Sequence, residues 1–249
     1  MIRFLRSIRQ SLLAKGRITR YLAYAIGEIV LVVIGIVIAL QLNNWNNEQQ
    51  LKQVEIKYLK EIANNLQADS VDIQFNIDFN EVRRRAAEMV LKSLEEHEAY
   101  SDTMDQYFGN LLYTTRSVMN YSAYETLKSR GLEIISNDSL RMMITQLYSF
   151  SYHNVIDFEK QDDHALQYAV VIPAVIDRMV IDPSVDKRMA LSSGRPKDFS
   201  ALKTDDLFKN AVLMNLDLRV YMLSNYRGLA EKVAACRERI RIELEHQEN

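Results

Sequence analysis

From Ile36 to Phe108 the chain contains neither glycine nor proline. These are the residues that end or kink helices, one through its conformational freedom and the other through its missing N–H. A stretch of that length lacking both reads as helix. Its apolar residues agree, since Leu59, Ile62, Leu66, Ile73 and Ile77 recur at threes, fours and sevens. The whole chain of 249 residues holds only 7 Gly and 3 Pro. That is too few for the turns of a β-sandwich, a doubly wound sheet or a Gly-rich phosphate loop. The expected fold class is all-α, built from a few long helices.

The N-terminus sets the address. Residues 1–20 carry Arg3, Arg6, Arg9, Lys15, Arg17 and Arg20 and no acid. Tyr21–Leu42 follows as an apolar run, and at 1.5 Å per residue it extends about 33 Å, enough to cross a hydrocarbon core of about 30 Å. Tyr21 and Tyr24 stand at one end and Trp45 at the other, where amphipathic rings prefer the interfaces. Cations on the first flank alone place the N-terminus in the cytoplasm and the rest outside. A cleaved signal peptide is the competing reading. Its apolar region would be shorter and would end at a small-x-small site, which Leu-Gln-Leu-Asn-Asn does not supply. Phe4, Leu5, Ile8 and Leu12 share one side of a short basic amphipathic helix, suited to an anionic membrane surface.

Two features inside the run ask for a function. Ala23, Gly27, Gly35 and Ala39 fall on a ladder of fours, interrupted only by Leu31, which gives a flat stripe for a second helix. Glu28 is the ionisable group within the inner half of the span, where a carboxylate costs about 2–3 kcal/mol. It reads either as an ion-coupled carboxylate or as a group that snorkels toward Arg17 and Arg20 or bonds across a helix pair.

The run RYLAYAIGEIVLVVIGIVIALQLNNWNNE (Arg20–Glu48), preceded by FLRSIRQSLL (Phe4–Leu13), resembles the N-terminal signature of an uncharacterised family of single-pass inner-membrane proteins from Gram-negative bacteria. SAYETLKSRGLEIISNDSLRMMITQLY (Ser122–Tyr148) is similar to a second segment of that family, with Arg130 where a small residue is expected before Gly131. The resemblance implies an inner-membrane anchor and an exported helical domain. It implies no activity.

Residues 43–249 are expected to form that periplasmic domain, an antiparallel bundle whose first and last helices are long. It is mildly acidic, with 25 basic and 32 acidic side chains beyond Leu42. Weak points of the first helix are expected at Asn43–Asn47 and Asp69–Asn80. Ser101 and Asp102 open a helix through about Arg116, and Ser122 with Glu125 forms a capping box on a short helix that Gly131 ends. Asn137 or Asp138 opens another, running toward Pro173. Asp182–Ala201, with Pro183, Gly194 and Pro196, is expected to be a loop. After Thr204 the stripe Leu207, Ala211, Met214, Leu218, Tyr221, Asn225, Leu229, Val233, Cys236, Ile240 and Leu244 predicts a last helix packed coiled-coil fashion on the first, with Asn225 buried as a register-setter.

Chemistry is sparse. Cys236 lies on the apolar stripe and reads as a buried thiol, with an intermolecular disulfide as the alternative. His153 and Asp157 are one turn apart, but His164 is about 16 Å further along and cannot join them on one ion. Neither a nucleophile elbow nor a His-Glu-x-x-His motif is present. Tyr107, Tyr113, Tyr121, Tyr124, Tyr148 and Tyr152 either fill the core or line a ligand groove. No cofactor, metal or catalytic residue is expected, and the net charge of −2 argues against nucleic acid. The expectation is a non-enzymatic interaction or scaffold module of the envelope, oligomeric or bound to a membrane-protein partner. An ion-coupled subunit acting through Glu28 and a periplasmic ligand sensor are the alternatives.

Overall fold

The computed structural model describes residues 18–96, 99–182, 189 and 191–248. Within this range the chain divides into two units, one ending at Val54 and one from Glu55 onward. Helix α1 runs from Ile18 to Glu95 and is unbroken through both Asn43–Asn47 and Asp69–Asn80, the expected weak points. One helix is thus long and apolar enough to cross a membrane.

In the first unit the described side chains from Leu22 to Gln53 are exposed, apart from half-buried Ala25. Gly27 and Gly35 face open space, and Glu28 and Ala39 are exposed beside them. Arg3, Arg6, Arg9, Lys15 and Arg17, and the side chains of Arg20 and Ala23, lie outside the described residues.

The second unit supplies its own core. Leu59, Ile62, Leu66 and Ile73 of α1 are fully buried, as their spacing predicts. After α1 come a 3₁₀ turn at Asp102–Met104, with Ser101 as its cap, and α2 at Asp105–Gly109. The helix expected to reach Arg116 ends there, and the chain continues as an irregular strap, 111–121. A Cβ on Gly109 would lie 2.3 Å from the Ser192 carbonyl oxygen, so this turn packs backbone to backbone against a distant segment. Helix α3 (Ser122–Arg130) follows, but the expected capping box is not formed. Its N-cap is Tyr121, and Ser122 Oγ accepts from Asn65 Nδ2 instead. Gly131 ends α3 as expected, at φ +114°, a conformation suited to glycine.

A 3₁₀ turn (Leu132–Ile134) leads to a long helix capped by Asn137, whose side chain accepts from Leu140 N at 3.2 Å. That helix comprises α4 (Asp138–Gln146), α5 (Tyr152–Phe158) and α6 (Ile172–Ile176), joined through π-helical turns at Leu147–Ser151, Glu159–His164 and Gln167–Val171. The π-turns serve a pattern. Val155, Glu159, Asp163, Gln167, Val171 and Val175 are all buried at a constant spacing of four. In a pure α-helix each such step rotates forward by about 40°. The wider π-turns rotate it back and hold one inward face. The last π-turn ends two residues before Pro173, where a regular ladder would lose its donor.

The expected loop after α6 holds a two-stranded antiparallel sheet, β1 (Met179–Ile181) on β2 (Gly194–Pro196), with Val180 opposite Arg195. Short α7 (Phe199–Leu202) precedes the last helix, α8 (Asp206–Glu248). Helix α8 lies antiparallel to α1: Arg237 bonds Gln67, whereas Arg227 bonds Glu81 and Arg219 bonds Asn80. Its buried face differs from the expected stripe. Leu207, Met214 and Tyr221 are exposed, while Phe208, Val212, Asn215, Arg219 and Met222 are buried. Leu229, Val233, Cys236 and Ile240 are buried as expected. Asn225 is only half-buried and bonds the Tyr221 carbonyl of its own helix, so it sets no register.

Candidate functional site

The unusual feature of the second unit is polar. On α1, Asp69, Asp72, Asn76, Asn80 and Arg83 succeed one another at threes and fours and continue the face that Leu59, Ile62 and Leu66 bury. Asp69, Asn76, Asn80 and Arg83 are themselves buried. Glu159, Asp163 and Gln167 meet them from the π-turns of the long helix, and Asn215, Arg219 and Tyr226 from α8. Buried polar groups of this number persist only if they bond one another or the backbone.

The strap 111–121 gives them that backbone. Among the described residues it has no neighbouring strand, so its amides bond to side chains. Ser117 N donates to Glu159 Oε1 at 2.9 Å, Val118 N to Asp72 Oδ2 at 3.0 Å, and Asn120 N to Asp69 Oδ1 at 2.9 Å. The side chains of Ser117 and Asn120 donate to the same oxygens of Glu159 and Asp69, each at 2.6 Å. Thr115 Oγ1 donates to Asn76 Oδ1 at 2.6 Å. At the strap's start the Leu111 carbonyl accepts from Gln167 Nε2 at 3.0 Å and Asn215 Nδ2 at 3.1 Å. Two tyrosines complete the carboxylate shells, Tyr152 OH on Asp69 and Tyr226 OH on Glu159, each at 2.7 Å. Glu55 holds the next non-helical segment in the same way, accepting from Ser136 N and Oγ.

Next to the strap lies a charged node. Arg219 and Asp163, both fully buried, form an ion pair, and Arg219 Nη1 also donates to Asn80 Oδ1 at 2.8 Å. Arg83 lies over the Phe79 ring at 3.5 Å and donates to the Met189 carbonyl at 2.7 Å. Burial and the nearby Arg219 charge push the Arg83 guanidinium down to about 9. Burial is also the largest influence on Asp69, Asp72 and Glu159, raising all three above the ordinary carboxylate range against the pull of their hydrogen bonds. The phenols of Tyr152 and Tyr226 are pushed up by burial and by the adjacent carboxylates, so they remain donors.

The tyrosines expected either in the core or in a groove are in the core where they cluster. Tyr124 stacks on Tyr148 at 4.5 Å between centroids, and Tyr121 meets Tyr148 and Tyr152 edge-on. These rings pack on one another instead of lining a groove; Tyr113 is apart, 45% exposed on the strap with φ +72°. Cys236 is fully buried and its thiol is pushed up to about 12 by burial, so its sulfur is not exposed for an intermolecular disulfide. His153 Nδ1 lies 3.1 Å from the Tyr148 carbonyl oxygen, and His164 packs on Tyr168. The site residues named from sequence, Glu28 and the small-residue ladder, belong to the first unit and none lies at the strap. What sequence reading missed is the polar continuation of the α1 face. Its signal was available: the period of Leu59–Leu66 carries on through Asp69, Asp72, Asn76, Asn80 and Arg83 without a change of phase.

No curated protein and no solved structure matches the chain significantly. A family model does match, over residues 28–170, and that range encloses Glu28, the strap and every carboxylate that holds it. More than half of the chain is matched, and the protein belongs to the family of unknown function DUF6090.

Proposed function

We propose that this protein is a bacterial inner-membrane anchor bearing a periplasmic helical module, and that it acts by binding another protein or a second copy of itself rather than by catalysis. The observation that carries the reading is the contrast between the units. Residues 55–248 bury their own apolar side chains, whereas the apolar run of α1 is exposed along its described length apart from half-buried Ala25. An exposed helical face of that length is stable in lipid and not in water. The cations of residues 1–20 hold the N-terminus in the cytoplasm. Gly27 and Gly35, with Ala23 and Ala39, form the face on which a second span packs.

Two measurements test this. Single cysteines at Ser11 and Glu231 are expected to label oppositely with a membrane-impermeant thiol reagent, only the second reacting in cells with a permeabilised outer membrane. Labelling of both, or recovery of the protein in the soluble fraction, would overturn the anchor. Gly27→Cys is expected to cross-link in membranes, and Gly35→Ile to abolish that; a span that stays monomeric removes the self-association.

A second reading rests on Glu28, which is exposed on the same apolar run. If the residue couples an ion, Glu28→Gln preserves assembly and removes function, whereas a structural carboxylate tolerates the amide.

A further inference from the structure

The strap is an irregular segment lying over buried acids. Asp69 is fully buried, Glu159 is 2% exposed, and Asp72 is half-buried beside them. Among the described residues each receives hydrogen bonds from neutral donors, namely strap amides, Ser117, Asn120, Asn76, Tyr152 and Tyr226. The cation that joins a buried ion pair here, Arg219, is engaged by Asp163 and Asn80. From α1, then, Asp69, Asp72 and buried Arg83, whose charge acts on Tyr113, face the strap, and from the long helix Tyr148, Tyr152, Glu159 and Asp163 do so. Helix α8 contributes Arg219, Tyr226 and the Cys236 thiol, and Tyr121 with Glu125 stands at the strap's far end. The remaining charge on the strap, Arg116, is exposed.

Leu111 and Leu112 belong to the hydrophobic core and fix the strap's base, so the part that can lift is 113–121, where the buried side chains are Thr115 and Met119. It forms no ladder with another described strand, and Val118, 65% exposed, shows that one side of it already meets solvent. Its liftable part begins at Tyr113, whose left-handed backbone is strained for a residue with a Cβ. Its attachments between Thr115 and Asn120 are side-chain acceptors of the two flanking helices.

We infer that 113–121 is a proton-locked latch: proton uptake by the carboxyl groups beneath the strap closes it onto the bundle, and their ionisation loosens it. The reason is the solvation of the acids. Closed, the strap keeps water from Asp69 and Glu159, and this loss of hydration disfavours their ionised forms by more than the neutral donors favour them. Open, the same groups are hydrated and behave as ordinary carboxylic acids. The closed state therefore binds protons more tightly than the open one, and by linkage a fall in pH favours closure. The raised proton affinities of Asp69, Asp72 and Glu159 agree in sign.

Hydrogen exchange on the full-length protein in mild detergent tests the latch, with protection of the 113–121 amides corrected for intrinsic rates at each pH. As the pH is lowered from neutrality toward the carboxylate range that protection is expected to rise, by up to about tenfold per pH unit for each proton linked to closure, while amides of α8 between Met222 and Cys236 show no such gradient. Glu159→Gln, a neutral isostere that keeps an acceptor for Ser117, is expected to leave the strap protected at neutral pH and to flatten the gradient. Asp69→Asn is expected to do the same in part. Strap protection that is level across pH, or that falls on acidification, overturns the proposal. So does a gradient that survives unchanged in both variants.

Discussion

Glu159 is the residue at which three parts of the domain meet. Its Oε1 accepts from the strap backbone, from Ser117 Oγ and from Tyr226 of α8. Glu159→Ala leaves the two donors of half-buried Ser117 and the buried Tyr226 hydroxyl without this acceptor and is expected to cost about 3 kcal/mol by urea unfolding of the full-length protein in mild detergent, on a scale of about 1–3 kcal/mol per stranded group. A loss below about 1 kcal/mol would mean that water replaces the carboxylate. Asp163 and Arg219 make a related point. Asp163→Ala strands a guanidinium in the core and is expected to cost about 3–5 kcal/mol, whereas Asp163→Leu combined with Arg219→Met is expected to cost much less than the two single changes together. These residues were present in the sequence but not legible as a site. A carboxylate four positions from another on a helix reads as a solvated face, and only the convergence of α1, the long helix and α8 shows that it is not.

At the scale of elements, the sequence was most informative where one physical rule acts alone. Helix α1 follows from the absence of breakers, and Gly131 and Asn137 do at α3 and α4 what their chemistry dictates. It was least informative where two rules compete. On α8 the most apolar stripe includes Leu207, Met214 and Tyr221, but the face turned inward carries Asn215 and Arg219. The bonds from Asn215 to Leu111 and from Arg219 to Asp163 and Asn80 outweigh the burial of three apolar side chains that the stripe alone would favour. The π-turns are a second case, because the four-residue period they maintain is neither of the periods that a pattern search seeks. Two glycines separate the local from the tertiary. Gly228 lies inside α8 with open space around its missing Cβ, so Gly228→Ala is expected to raise stability by about 0.5–1 kcal/mol through helix propensity. Gly109→Ala meets the Ser192 backbone and is expected to destabilise by about 2 kcal/mol or more. Equal responses of the two in thermal melts would contradict this assignment.

For the whole molecule the buried acids set an unusual dependence on pH. Asp69, Asp72 and Glu159 have raised proton affinities in the folded state. Their favourable contribution is thus complete below the ordinary carboxylate range and is lost as pH rises through the raised folded values. The thermal midpoint of the second unit is expected to increase as pH falls from neutrality toward the ordinary carboxylate range, the opposite of simple acid lability. Further acidification is expected to reverse the trend, since Arg178 bonds Asp205 and holds its carboxyl low, a contribution lost on protonation. A midpoint that declines steadily from neutral pH would show that the carboxylates are ionised at no cost in their seats.

The sequence by itself determined the helical class, the long first helix, the apolar run with its cationic flank, and the length of the last helix. Each follows from local covalent preference or from side-chain transfer between water and an apolar phase, and both act on residues close together in the chain. Only the tertiary structure decided which face of α8 turns inward, that the chain after Gly109 forms a strap instead of a helix, and that Asp69, Asp72 and Glu159 hold it. Those outcomes depend on donors and acceptors that are 42 to 51 positions apart. A hydrogen bond to a buried carboxylate has no periodicity along the chain, so its partner is defined only once the helices have packed.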